Sequence, residues 1–198
     1  PDDPKLTLGG PDFQFNTSSG GNPFGLTGSP YEDEAIRVSM SAGALNFTSK
    51  AVLGGKRWRL TSPQPTDFYL VGTFKVTNCS GLDTYGIVSR APDYSSGQGY
   101  YFGVTCNGNF VFDRWNSGGA SNLITWTPAS QIITGNNQTN RIGMKVTGEN
   151  IRLYINGVLV REFTDPGLPA KGHIGAYISA RDNPGFAVDL VELLMWIQ

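Results

Sequence analysis

Between Arg141 and Phe163 the chain alternates apolar and polar residues with a period of two. Ile142, Met144 and Val146 alternate with Arg141, Gly143, Lys145 and Thr147. After Gly148-Glu149-Asn150, Ile151, Leu153 and Ile155 alternate with Arg152 and Tyr154. That period belongs to strands buried on one face. Asn156-Gly157 then supplies the two positive-φ residues of a type I′ turn into Val158–Phe163. The stretch predicts antiparallel strands and a hairpin, with Arg141, Lys145, Arg152 and Tyr154 on the polar face.

The same pattern recurs along the chain. Strands are predicted at Lys5–Leu8, Phe13–Phe15, Ala35–Met40, Ala44–Thr48 and Lys56–Leu60. Asp67–Asn78 is the longest, with Phe68, Leu70, Phe74 and Val76 on one face and Tyr69, Val71, Thr73 and Lys75 on the other. Tyr85–Arg90, Gly99–Cys106 and Asn109–Trp115 form a meander. Leu123–Trp126, His173–Ala180 and Phe186–Ile197 complete the set, with a single helical turn at Pro128–Ile133. Turn signals at these intervals suit an all-β antiparallel sandwich. Residues 1–20 read as an extension, rich with the next ten in Pro, Gly, Ser and Asn, and residues 21–198 as one sandwich domain.

Composition narrows the partners. The 198 residues include 26 Gly, 12 Pro and 12% aromatics, as short strands and tight turns require. Charged residues make up 16%, against roughly 25% in an average soluble domain, and the formal net charge is −1. Nucleic-acid binding needs basic patches to meet phosphates, so it is excluded. No apolar run approaches the ~20 residues that span a bilayer, so membrane insertion is not expected. Pro1-Asp2-Asp3-Pro4 lacks the basic and apolar character of a signal peptide, so a secreted chain would be in its mature form. Low charge weakens self-repulsion and permits association between copies.

Cys79 and Cys106 end two strands that run in the same direction, which puts both sulfurs at one end of a sheet. A disulfide there closes a loop of about 27 residues, worth ~3 kcal/mol in the loop-entropy model, and needs an oxidising compartment. The alternative is two buried thiols. Four Asn-x-Ser/Thr sequons, at Asn16, Asn46, Asn78 and Asn137, point weakly to the same extracellular or cell-surface setting.

No catalytic set is legible. His173, the one histidine, excludes His-rich zinc sites and reads as a partly buried strand residue. Glu32-Asp33-Glu34 reads as a solvated edge, since no paired carboxylates lie on one predicted strand face as a glycoside hydrolase needs. No cofactor is implied. A structural calcium ion would draw on Asp2, Asp3, Asp12, Asp182 and Asp189, which show no diagnostic spacing. Carbohydrate is the better-supported ligand, because sugar rings stack on aromatic faces while their hydroxyls pair with polar side chains. Asp113-Arg114-Trp115-Asn116 holds all these types, with Tyr94, Trp126 and Arg181-Asp182-Asn183 as further candidates. Trp58, Trp126 and Trp196 read alternatively as packing residues.

From about Tyr31 to Trp196 the chain resembles a bacterial module of the concanavalin A-like lectin/glucanase fold, a jelly roll close to the laminin-G-like and 3-keto-disaccharide hydrolase domain families. The resemblance rests on Tyr85-Gly86-Ile87-Val88-Ser89-Arg90, Gly99-Tyr100-Tyr101-Phe102-Gly103-Val104 and Asn140-Arg141-Ile142. It continues in Leu153-Tyr154-Ile155-Asn156-Gly157, Gly172-His173-Ile174-Gly175-Ala176-Tyr177 and Ala187-Val188-Asp189-Leu190-Val191-Glu192. It implies the fold and leaves the function open, since such sandwiches serve as lectins, adhesins, hydrolases and structural units.

Such modules usually sit within larger proteins, whereas here Lys5-Leu6-Thr7-Leu8 precedes the module on a Gly9-Gly10 tether. A strand so placed can add to a neighbour's sheet, or fold back on its own. Two functions are therefore expected ahead of a third. The first is a non-enzymatic subunit of an extracellular filament or surface layer, partnered by copies of itself through Lys5–Leu8. The second is a module that binds polysaccharide. A glycan hydrolase comes last, for want of an acid/base pair.

Overall fold

Asn156 and Gly157 adopt φ of 51° and 84°, the left-handed pair that the hairpin turn requires. The turn joins β12 to β13 in a computed structural model that describes residues 3–4, 8–16, 30–52 and 54–198. The strands are β1 (Phe13–Asn16), β2 (Tyr31–Glu32), β3 (Ile36–Ser41), β4 (Ala44–Ser49) and β5 (Arg57–Leu60). Next come β6 (Phe68–Asn78), β7 (Thr84–Ala91), β8 (Gly99–Thr105), β9 (Asn109–Asn116) and β10 (Gly119–Pro128). The last are β11 (Thr139–Thr147), β12 (Asn150–Ile155), β13 (Val158–Thr164), β14 (His173–Ser179) and β15 (Ala187–Ile197).

They form two antiparallel sheets. The large sheet runs β13-β12-β11-β6-β15-β4-β3-β2, and the small one β10-β9-β8-β7-β14-β5. In the large sheet β15 is shared along one side: Ala187–Leu190 pair with β4, and Glu192–Met195 pair with β1. The main core lies between the sheets and holds Phe47, Phe68, Phe74, Phe102, Phe112 and Phe186, all nearly inaccessible. The inward half of each alternating strand thus becomes core, as expected for Phe68, Leu70, Phe74 and Val76 of β6 and for Ile142, Met144 and Val146 of β11. Among the described residues no helix is long and apolar enough to cross a membrane.

The outward half departs from expectation. Tyr69, Val71, Tyr154, Leu194 and Trp196 form a second buried cluster on the outer face of the large sheet, with Leu8 and Leu159 packed against it. Asp3, Leu8 and Gly9 lie over this face. Asp3 accepts a hydrogen bond from the Tyr69 hydroxyl and pairs with Arg141, while Trp196 Nε1 donates to the Gly9 carbonyl at 2.8 Å. Tyr154 is therefore buried instead of joining an open polar face, and Arg152 is taken up cross-strand by Glu162. Among residues 1–20, those described fold back on their own sandwich, and Phe15 enters the main core. A boundary at residue 20 would cut β1 from its sheet. Lys5, Leu6 and Thr7 lie outside the described residues, as does Asp2.

Cys79 and Cys106 are joined in a disulfide with Cα atoms 5.5 Å apart. They do not share a sheet. Cys79 follows β6 in the large sheet and Cys106 follows β8 in the small one, so the bridge clamps the two layers together at one end. Pro128–Ile133 is no helical turn either. Pro128 ends β10, which is longer than predicted, and Ile132 N–H closes a tight turn onto the Ala129 carbonyl at 3.1 Å.

Candidate functional site

The outer face of the small sheet is where alternation sends side chains that the core cannot use. On β14, Ile174, Ala176 and Ile178 point inward, so Tyr177 and Ser179 point outward. On β9, Phe110 and Phe112 are core, so Val111, Asp113 and Trp115 face outward. Tyr177 packs edge-on against Tyr101 at a centroid distance of 5.1 Å, with Leu60, Val88 and Trp58 in the same cluster. Its hydroxyl lies over Gly103 of β8, where an added Cβ would come within 2.3 Å of it. Glycine at 103 thus leaves room for the phenol.

A polar hollow forms beside this ring. Lys56 Nζ lies 2.8 Å from Asp113 Oδ2 and 5.3 Å from the centre of the Tyr101 ring. Asn122 Nδ2, from β10, donates to Asp113 Oδ1 at 2.9 Å. Trp126 of β10 is 42% exposed, and the Arg181 guanidinium stands 5.2 Å above its ring. Tyr177, Asp113, Asn122, Trp126, Lys56 and Arg181 line one depression. The Tyr177 hydroxyl is buried and has no hydrogen-bond partner among the described residues, an uncommon condition for a buried polar group. Burial first, and then the Asp113 charge, holds the phenol well above its ordinary pKa. It therefore remains a protonated donor. Donor, acceptor, cation and exposed indole together match what a sugar presents: hydroxyls that both give and accept, and a ring face that stacks.

A second concavity flanks β5. It is an open cleft of ≈ 430 Å³ between the edges of the two sheets, walled by Tyr31, Trp58 and Tyr94 over Arg57 and Arg59. Tyr94, 50% exposed, packs at a tilt of 39° against His173, ring centres 4.3 Å apart. His173 itself is buried. Its Nδ1 lies 2.8 Å from the Thr61 carbonyl, so Nδ1 carries the proton, and Nε2 accepts from Gln64. Both ring nitrogens are committed to structure.

The predicted site residues separate accordingly. Trp126 and Arg181 meet at the hollow, and Tyr94 at the edge cleft. Arg114 and Trp115, neighbours in sequence, point to opposite sides of β9. Arg114 turns inward to Asp165 at 2.6 Å, and Asp165 also accepts from the Tyr100 hydroxyl. Trp115 is 36% exposed on the outer face. Asn116 turns its carbonyl oxygen to Gly118 N–H and shapes the β9–β10 turn. The calcium candidates do not converge. Asp12 accepts from Ile197 N–H, Asp182 from Leu82 N–H and Asp189 from Asn46, while Asp3 pairs with Arg141. Among the described residues no group of three or more metal-ligating side chains exists. Glu32 is held near pKa 2 by Arg37 and Lys50, as an ion-paired edge residue. Lys56, Asn122 and Tyr177 were not predicted. For Tyr177 the signal was present, since alternation with Ile174, Ala176 and Ile178 already sends it outward.

No family model matches the chain, and no curated protein sequence does. Solved structures match its fold. The carbohydrate binding module CBM66 from Bacillus subtilis is 18% identical, with TM-score 0.59, covering 75% of this chain and 86% of that one. The GH43 BlXynB protein from Bacillus licheniformis is 10% identical, with TM-score 0.60, over 83% of this chain and 35% of that one. A functionally unknown protein from Saccharomyces cerevisiae is 11% identical, with TM-score 0.56, over 81% and 91%. At these identities the likeness is one of fold, and the fold is a concanavalin A-like jelly-roll sandwich.

Proposed function

We propose that the chain is a non-catalytic carbohydrate-binding module that takes polysaccharide on the outer face of its small sheet. The observation that carries this reading is the exposed Trp126 ring, capped by Arg181 and set beside the Asp113–Asn122 hydrogen bond on one face. The sharing of this fold with a carbohydrate binding module and with a GH43 protein adds support. Asp113 is the one carboxylate lining the hollow and is neutralised by Lys56, whereas glycoside hydrolysis ordinarily takes a pair. A setting outside the reducing cytosol is part of the proposal, supported by the disulfide. Assembly into filaments draws no support from the described residues of 1–20, which cover their own sheet.

Affinity electrophoresis against xylan, fructan, mannan and β-glucan tests the reading. Retardation by at least one is expected, and it should vanish in Trp126→Ala. Absence of binding to every polysaccharide, or release of reducing sugar, would overturn it.

A further inference from the structure

The edge cleft is separate from the hollow and has its own chemistry. Tyr31, Trp58 and Tyr94 present ring surface on three sides. Arg59 stacks on Tyr31, its guanidinium carbon 4.1 Å from the ring centre. Its Nη1 donates to the Trp58 carbonyl at 2.7 Å, while Nε and Nη2 are shut off from solvent and have no partner among the described residues. Arg57 donates from Nη1 to the Lys56 carbonyl. Neither arginine has a carboxylate within ion-pair distance among the described residues, although Arg37, Lys50 and Arg152 at the surface do. Asp33 lines the same cleft but is already engaged, accepting from Ala35 N–H, Ile36 N–H and the Tyr31 hydroxyl.

The cleft thus sets two guanidinium charges against the single Asp33 carboxylate, which acts on both, and leaves an excess of positive charge framed by aromatic faces. A neutral sugar would satisfy the rings and leave the charge unmatched. An acidic sugar satisfies both: its ring stacks, and its carboxylate or sulfate oxygens accept from the partly exposed Arg57 within the field of Arg59. We propose that this cleft is a second subsite, selective for an anionic sugar unit. The proposal rests on the carbohydrate-binding reading above and extends it to charged polysaccharides.

Isothermal titration of the full chain with three probes of equal length tests it: an oligogalacturonate, a sulfated galacto-oligosaccharide and a neutral galacto-oligosaccharide. At least one anionic probe should bind roughly tenfold tighter than the neutral one, the scale of one charge-assisted hydrogen bond. The two anionic arms decide between carboxylate and sulfate. The preference should disappear in Arg57→Gln and Arg59→Gln, weaken with added salt, and survive in Trp126→Ala. Should Arg59→Gln fail to fold, Arg57→Gln carries the test alone, because its side chain is partly exposed. Equal affinity for all three probes would overturn the subsite, as would a preference that outlasts both arginine changes or is lost with Trp126 alone. Neutral polysaccharide binding that depends on Trp126 without any anionic preference would sink the subsite and leave the module reading standing. No binding of any glycan would sink both.

Discussion

Lys56 and Asp113 form an ion pair at 2.8 Å although β8, β7 and β14 lie between their strands in the small sheet. Both side chains are largely buried, at 18% and 11% exposure, so each depends on the other for its charge balance. Lys56→Met should destabilise the fold by about 2 kcal/mol by stranding the carboxylate, less than for a fully buried pair because water reaches it. Adding Asp113→Leu should recover part of that loss. Urea denaturation of both single variants and the double variant measures the coupling, and strictly additive effects would refute it.

Trp126 is exposed and touches Arg181 rather than the core, so its removal should separate binding from stability. Trp126→Ala is expected to shift unfolding by no more than ~0.5 kcal/mol, as surface changes do, while glycan affinity falls by about tenfold or more. Calorimetric melting and affinity electrophoresis on the same preparation check both halves.

Arg114→Ala should do the reverse. It removes the partner of Asp165, a buried carboxylate that also holds Tyr100. A loss of about 2 to 3 kcal/mol is expected, with glycan affinity unchanged in the folded fraction. A selective loss of binding at unchanged stability would return Arg114 to the binding face.

The Cys79–Cys106 bridge closes a separation of 27 residues and joins the two layers. Reduction, or Cys79→Ser with Cys106→Ser, should cost about 3 kcal/mol. Guanidinium titrations with and without reductant would show it as a lower midpoint, and coincident curves would rule it out.

The loop that carries Tyr94 should respond to acid. Asp93 accepts from Ser96 N–H and Ser95 N–H, and these bonds, Ser96 first, hold its carboxyl near pKa 2 instead of 3.8. A depressed pKa stabilises the folded loop above about pH 4, and that contribution drains away as pH falls toward 2. The amide shifts of Ser95 and Ser96, followed by NMR, should titrate with a midpoint near 2. A midpoint near 4 would mean that the bonds do not form in solution.

Where one rule governs burial, the fold was legible. β11 and β12 alternate because one side meets the core, and Asn156-Gly157 turns because those residues tolerate positive φ. Tyr154 was misread as part of an open polar face, because what covers it comes from a distant segment of the chain. Alternation cannot reveal that a face is covered from elsewhere in the chain. The binding face was half legible. Trp126 and Arg181 stood out as an aromatic and a cation, but their meeting depends on how β10 lies relative to the loop after β14. Lys56, just before β5, meets Asp113 across β14, β7 and β8, a pairing that no local spacing encodes. Arg114 and Trp115 were paired by adjacency, when a strand sends neighbours to opposite sides.

Gly103 sits beneath the Tyr177 phenol, and a single methyl there would occupy the place of the hydroxyl oxygen. The depth of the hollow is therefore gauged by an absent carbon on a strand that donates no side chain to it. Any larger residue at 103 would lift the phenol toward solvent, shallow the hollow, and hand the donor back to water. The shape of this face is thus set in part by a position that contributes no atom to its surface.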